Sequence, residues 1–346
     1  ALWLDKDYIH NALAMEIYTA AGVPASDTDF AFSVRNGAFH SVVSIVEQVD
    51  EDFLERNDLD PDGALYKIYN ALQNANNRPD PPTGVQPDNF VGVEKKTREN
   101  EDNSDLQAFI DGLNISNVND RLEYIFDNVD VPSVLSYLAA SVIIRDRDMT
   151  TKNWYVHRNT TTDGEWQAIP WDRDTSSGYH GFLNPGGSPG TSINALYMDN
   201  RTPLHDAIYD TPILREMYLR RLRTVLDTVL KAPGTPANEL TLEARVDEYL
   251  AMLQTDTAAD KALWGVPTIF GGNYDPNETL AQSLNVLKNY LAGVRANIYN
   301  DGLLPSAQAA SPSLTIGTIE HTPAGDQDRE YIQLTNNNAV AIDISD

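Results

Sequence analysis

The sequence predicts an α+β protein whose second half is mainly helical and whose last residues return to strand. Three observations carry that expectation. Around Asn36-Gly37 and again around Asp163-Gly164, apolar and polar residues alternate on both sides of a tight-turn dipeptide, the pattern of a β-hairpin. Across 204–230, 240–254 and 277–300 the apolar positions recur at helical spacing instead. After Pro305 the small, polar run SAQAASPS gives way to alternating segments with Asn and Gly turns.

Taken in order, Ile9, Leu13 and Ile17 stand four apart and place a helix over 5–21, which Gly22-Val-Pro24 stops. The Asn36-Gly37 hairpin follows. A helical pattern is expected over 50–72, and then NANNRPDPPTGVQPDNF, rich in Pro and Asn, reads as a long surface loop. The charged stretch EKKTRENEDNSD leads into helices near 105–111, 118–127 and 131–144. WYVHRN and EWQAIPWD form the second hairpin, and SSGYHGFLNPGGSPGTS is a long irregular loop of the kind that covers a site. The expected organisation is a main domain over 1–305, a linker over 306–312 and, over 313–346, the start of a β-sandwich with too few strands to close. Because a helical pattern sets in almost at once, the main domain is expected to begin upstream of Ala1.

Composition narrows the function classes. The chain has 346 residues, 41% of them hydrophobic, enough for a large core. It carries 51 Asp and Glu against 25 Lys and Arg, a formal net charge of -26, which repels nucleic acid and anionic membranes. A solvated, salt-adapted surface explains that charge, and so does attraction for a basic partner. Cysteine is absent, which excludes disulfides and thiolate metal sites. No segment approaches the roughly 18 uninterrupted apolar residues of a membrane span, and no zinc-ligand spacing, Walker-type phosphate loop or Gly-x-Ser-x-Gly elbow is present.

The run with chemical content is Arg145-Asp-Arg-Asp148-Met-Thr-Thr-Lys-Asn153, followed one hairpin later by Ile169-Pro-Trp171-Asp172-Arg-Asp174. Phosphoryl transfer to a hydroxyl needs a carboxylate at the incoming oxygen and hard oxygen ligands for the metal on the nucleotide phosphates. An Asp-x4-Asn loop and an Asp after a hairpin supply both. In an acidic chain such spacing arises by chance. What gives it weight is the order around it, a helix, the loop, two strands and a second acidic loop, as in the active site of a protein kinase.

With those residues in view, Asn36-Gly-Ala-Phe-His-Ser-Val-Val-Ser-Ile-Val-Glu47-Gln-Val-Asp50, Gly63-Ala-Leu-Tyr-Lys67, Asp148-x4-Asn153 and Ile169-Pro-Trp-Asp-Arg-Asp174 resemble the signatures of the CotH kinases over roughly 1–303. The resemblance implies an atypical protein-kinase-like fold with a mainly helical C-lobe. It also implies transfer of the ATP γ-phosphoryl group, with Mg²⁺ or Mn²⁺, to Ser/Thr hydroxyls of a secreted or cell-surface bacterial protein. In that frame Asp148 is the catalytic acid, Asn153 and Asp172 are metal ligands, and Asp174 is a further candidate ligand. The order of elements makes the 5–21 helix the one with the ion-paired glutamate, Glu16, and makes Glu47-Gln48-Val49 the hinge that meets adenine. The phosphate-binding lysine is then expected before Ala1, with Lys67 as its rival, and Trp171 offers a face to adenine. At the C-terminus, Glu330-Tyr-Ile-Gln-Leu-Thr-Asn336 and Ala341-Ile-Asp-Ile-Ser resemble the start of a lamin-tail domain. Two alternatives stand beside the kinase: a non-catalytic kinase-fold surface or adhesion module, and a metal-dependent phosphohydrolase using Asp172 and Asp174.

Overall fold

The computed structural model describes residues 5, 7–79, 91–145, 152–177, 196–198, 201–265, 277–320 and 331–344. Helix α1 (His10–Ala20) buries Ala12, Leu13, Met15, Ile17 and Tyr18. It is followed by the hairpin of β1 (Thr28–Arg35) and β2 (Ala38–Val46), which form a two-stranded sheet of their own. Asn36 and Gly37 turn it with φ of 54° and 80°, the double left-handed geometry that Asn-Gly adopts at little steric cost.

The expected 50–72 helix is shorter than its pattern. Only α2 (Glu51–Arg56) forms, capped by the Asp50 carboxylate on the Phe53 amide. The run Asp58-Leu-Asp-Pro61-Asp-Gly63 then breaks the helix, and Ala64–Ile68 is a strand, β3. A short apolar run suits a buried strand as well as a helix, and here pairing decides. β3 lies between β4 (Val93–Lys95) and β5 (Trp154–Arg158), and β6 (Trp166–Pro170) completes an antiparallel sheet of order β4-β3-β5-β6. Gly63 is needed at the start of β3, because a Cβ there would lie 2.4 Å from the His157 ring and 2.5 Å from the Arg158 carbonyl oxygen.

The helices fall close to the expected ranges: α3 (Ser104–Leu113), α4 (Val118–Asn128), α5 (Val131–Ile144), α6 (Pro203–Tyr209), α7 (Pro212–Val225), α8 (Thr241–Trp264) and α9 (Leu280–Tyr299). α7 runs on into a π-helical turn, Leu226–Leu230. α5 is apolar all round and almost wholly buried, so it is the central post, with α1 and α7 against it and β6 alongside. Trp166 of β6 stacks on Phe109 of α3, ring centroids 4.7 Å apart and 11° from parallel. The first hairpin packs on α8, where Asp260 accepts from the Val42 amide at 3.0 Å and the Tyr8 hydroxyl at 2.8 Å.

The C-terminal hairpin, β7 (Leu314–Glu320) with β8 (Tyr331–Asn336), leaves Ile316 and Ile332 each 62% exposed. The segment after it is tied to α7, where Arg220 donates to the Ala341 carbonyl and Arg221 pairs with Asp343 at 3.1 Å. No helix among the described residues is long and apolar enough to cross a membrane.

Two features of the core are testable. Removing the Trp166 indole by Trp166→Ala deletes a ring that is 3% exposed, and is expected to cost about 3–5 kcal/mol in denaturant unfolding; a loss below about 1 kcal/mol would contradict the stack as a core element. The second feature is His205 in the first turn of α6, 1% exposed, whose Nδ1 sits 2.8 Å from the Thr202 hydroxyl. Burial, followed by the charges of Arg201 and Arg173, pushes its pKa down from 6.5 to about 3. Between those values the unfolded chain binds a proton that the folded chain refuses. Stability therefore falls as the pH drops through 6.5 toward 3, by up to about 1.4 kcal/mol per pH unit from this group. His205→Gln is expected to flatten the pH dependence of the unfolding midpoint by that share, and an unchanged slope would refute a buried neutral imidazole.

Candidate functional site

The segment after β6 returns to the C-terminal end of α5. The amide of Ser177 donates to the Ile144 carbonyl at 2.6 Å, which brings the segment after β6 back onto the end of that helix. Four non-glycine residues here hold left-handed backbone: Arg145 (φ 49°), Asn153 (66°), Asp172 (55°) and Ser177 (58°). Each costs about 1–2 kcal/mol relative to right-handed backbone, less for Asn and Asp, so neighbouring contacts must hold them.

Those contacts are specific. The Trp171 amide donates to the Asn153 carbonyl at 3.1 Å, and Asn153 Nδ2 donates to the Asp172 carbonyl at 3.2 Å. Asn153 is buried and Asp172 exposed, and among the described residues nothing donates to Asn153 Oδ1 or to the Asp172 carboxylate. Two neighbouring residues thus present uncommitted hard oxygens, a donor set suited to Mg²⁺ or Mn²⁺. No group of three or more Asp, Glu or His among the described residues forms a complete metal site.

Next to Asp172 the chain turns inward. Arg173 is fully buried; its amide donates to Asn11 Oδ1 at 2.7 Å, its guanidinium donates to the Tyr137 hydroxyl at 3.0 Å and lies over the Tyr18 ring. Asp174 is half-buried and its charge reaches His10 at the start of α1. His10 Nδ1 is 2.8 Å from Asp5, with Asp7 at 3.7 Å from the other ring nitrogen. Burial opposes a charge on this imidazole, but Asp5, Asp7 and Asp174 outweigh it and raise its pKa above 6.5.

Lys67, on β3, projects its ammonium among three rings, 5.1 Å from the Trp171 centroid, 5.4 Å from Tyr155 and 5.6 Å from Tyr69. Burial lowers its pKa, while the charges of Glu94 and Asp172 pull the other way. Lys67, Trp171, Asp172 and Asn153 therefore form one cluster. Val49 joins its edge, because it packs with Leu65, Tyr155 and Ile169 in a small apolar cluster that Trp171 covers. Gln48 is exposed.

Glu47 and Glu16 are engaged elsewhere. The Glu47 amide donates to the Asp27 carbonyl and its carboxylate takes a fork from Arg56 at 2.8 and 2.5 Å, so neither is open to a nucleotide. Glu16 is ion-paired, with Arg245 of α8 at 2.8 Å rather than with a lysine, and also accepts from the Tyr249 hydroxyl at 2.6 Å. Asp148 lies outside the described residues. Arg173, Asn11 and His10 were not singled out from sequence. The arginine between two aspartates in Trp-Asp-Arg-Asp was the available signal, since a cation there must either face solvent with its neighbours or turn into the protein.

The model of the family described as CotH kinase protein matches residues 1–297. The inner spore coat protein H of Bacillus subtilis (strain 168) is 29% identical over 254 residues, which cover 73% of this chain and 68% of that protein.

The left-handed backbone at Asn153 separates two contributions. Asn153→Gly is expected to lose only the side-chain bond to Asp172, about 1 kcal/mol, whereas Asn153→Ala adds the backbone cost and is expected to be less stable again by about 1 kcal/mol. Equal unfolding free energies for the two variants would show that the backbone at 153 is not held left-handed.

Proposed function

This chain belongs to the CotH kinase protein family, and on that basis we propose that it is an atypical protein kinase transferring the ATP γ-phosphoryl group to Ser/Thr hydroxyls of a surface protein. The observation that carries the reading is the pairing of Asn153 with Asp172, two open oxygen ligands locked together in left-handed backbone beside Lys67 and Trp171. A bound Mg²⁺ or Mn²⁺ would neutralise charge developing on the phosphates. Asn153 and Asp172 would hold it, and Asp174 is the further candidate ligand. Lys67, with its lowered pKa and half-buried ammonium, would place a positive charge at the phosphates, while Trp171 and Val49 offer apolar surface to the base. Asp148 would orient the acceptor hydroxyl and take its proton. The strongly acidic chain favours a basic acceptor protein. The relative's name places that protein in a spore coat, and a secreted or surface setting follows for this chain as part of the proposal. The C-terminal hairpin would be a lamin-tail-like attachment module.

A non-catalytic kinase-fold surface module is the second reading. It is favoured by Glu16 being held by Arg245 and by Lys67 making no ion pair among the described residues, so no lysine-glutamate pair of the kinase type is assembled from them.

The test is a thermal-shift titration with ATP plus Mg²⁺ or Mn²⁺ beside Asp172→Ala, followed by product analysis with a basic serine-containing peptide. The kinase reading expects metal-dependent stabilisation, about 2.7 kcal/mol at a hundredfold excess over Kd. It also expects phosphopeptide as product and a loss of roughly 100-fold or more in the variant. Stabilisation without phosphopeptide supports the module, free phosphate alone indicates hydrolysis, and full activity of Asp172→Ala removes the proposed site.

A further inference from the structure

Glu16 of α1 is held by Arg245 of α8, so this helix reaches the cluster by another route. The peptide unit between Asp172 and Arg173 is gripped from both sides. Its carbonyl accepts from Asn153 Nδ2 at 3.2 Å, and its amide donates at 2.7 Å to Oδ1 of Asn11, in the first turn of α1. Because a peptide is planar, two bonds on opposite edges fix the orientation of the whole unit. They fix with it the ψ of Asp172, whose φ of 55° is already left-handed. The Arg173 side chain then reaches a second point on the same helix: its guanidinium lies 5.6 Å from the centroid of the Tyr18 ring and donates to the Tyr137 hydroxyl at 3.0 Å. Asn11 and Tyr18 stand two turns apart on one face of α1, a span of roughly 10 Å. Tyr18 is itself fixed, stacked on Tyr137 with centroids 5.4 Å apart and its hydroxyl 2.9 Å from Ser141 Oγ of α5. Asn11, Tyr18, Tyr137 and Arg173 are all buried.

We propose, resting on the reading of Asp172 as a metal ligand, that Asn11 is the positioning residue through which α1, with Arg173, sets the direction of the Asp172 carboxylate. It thereby sets the affinity of the site for a nucleotide-bound divalent ion. Protein kinases tie the corresponding helix to the phosphates by a lysine-glutamate ion pair, which must be in place together with the metal-binding aspartate. Here the helix holds the peptide of the aspartate itself. A shift of α1 along its axis would part Oδ1 from the Arg173 amide and the Tyr18 ring from the guanidinium at once. A buried amide without an acceptor is costly, so helix and loop move as one unit. Being buried, Asn11 and Arg173 act on the ion only through Asp172, as the hydrogen-bond partners of metal ligands do when they orient them. The missing lysine-glutamate pair thus leaves the metal loop still coupled to α1.

The wild type, Asn11→Ala, Asn11→Asp and Asp172→Ala are compared by calorimetric titration with ATP in Mn²⁺ and with ATP in EDTA. Asn11→Ala removes the acceptor and is expected to weaken Mn²⁺-ATP binding about 10-fold, while binding of metal-free ATP, which does not pass through Asp172, stays unchanged. Asn11→Asp keeps an acceptor oxygen in place and is expected to restore most of the metal-dependent affinity. Lost packing alone would lower the unfolding midpoint without separating the two affinities. Hydrogen exchange of the free protein adds a reading without nucleotide: the Arg173 amide is expected to exchange faster in Asn11→Ala. Should that variant fail to fold, Tyr137→Phe, which takes away only the hydroxyl that holds the guanidinium, replaces it with the same expected split. An unchanged Mn²⁺-ATP affinity, or equal weakening with and without metal, overturns the positioning role. Metal-dependent binding retained in Asp172→Ala, or missing from the wild type, overturns the site itself, and the positioning role falls with it.

Discussion

Much of the arrangement rests on one buried cation. Arg173 sits between two aspartates, and its guanidinium is held inside by the Tyr137 hydroxyl and the Tyr18 ring while its amide is held by Asn11. A buried guanidinium is costly unless its hydrogens are satisfied and its charge is met by aromatic faces or carboxylates. The contacts to Asn11, Tyr18 and Tyr137 require α1, α5 and the loop after β6 to be in register at once. With Arg173 turned inward, the left-handed Asp172 before it is exposed on the side of Lys67, and Asp174 after it is half-buried with its charge reaching His10.

Around that anchor the site is a set of mutually supporting strains. The left-handed backbone at Asn153 and Asp172 would not persist alone. Asn153 closes it by bonding across to the Asp172 carbonyl, and β5 and β6 hold Asn153 and Asp172 side by side through their antiparallel register. The same sheet carries Lys67 to the cluster, because β3 pairs Lys67 with Tyr155 of β5. A helix over 50–72 would have placed that lysine on a different surface.

Charge is distributed unevenly between the two regions. Burial, followed by the charges of Arg201 and Arg173, keeps His205 neutral, whereas at the start of α1 Asp5 and Asp7 gather around His10 and raise its pKa. A groove between α1 and the first hairpin is acidic and apolar. A single helix therefore separates two surfaces of different chemistry, the cluster of Lys67, Trp171, Asp172 and Asn153 and an acidic groove.

The sequence by itself determined the elements whose signals are local. Asn36-Gly37 fixed the first hairpin, since few dipeptides adopt such a turn cheaply, and the second formed where expected but around a longer loop, 159–165, in which only Gly164 takes positive φ. Periodicity located the helices of the second half, and the Asp-x4-Asn and Trp-Asp-Arg-Asp runs contain Asn153 and Asp172, which the fold places side by side. What sequence left undecided depends on partners far away in the chain. Ala64–Ile68 became a strand only because β5 was there to pair with it, and the isolation of the first hairpin from the larger sheet follows from its packing on α8. Glu16 found Arg245 more than two hundred residues on, and Glu47 spent its amide on Asp27 and its carboxylate on Arg56. Periodicity reports which face of an element is buried but not what covers it, so the partner of each charge and the direction of Arg173 were decided by tertiary structure alone.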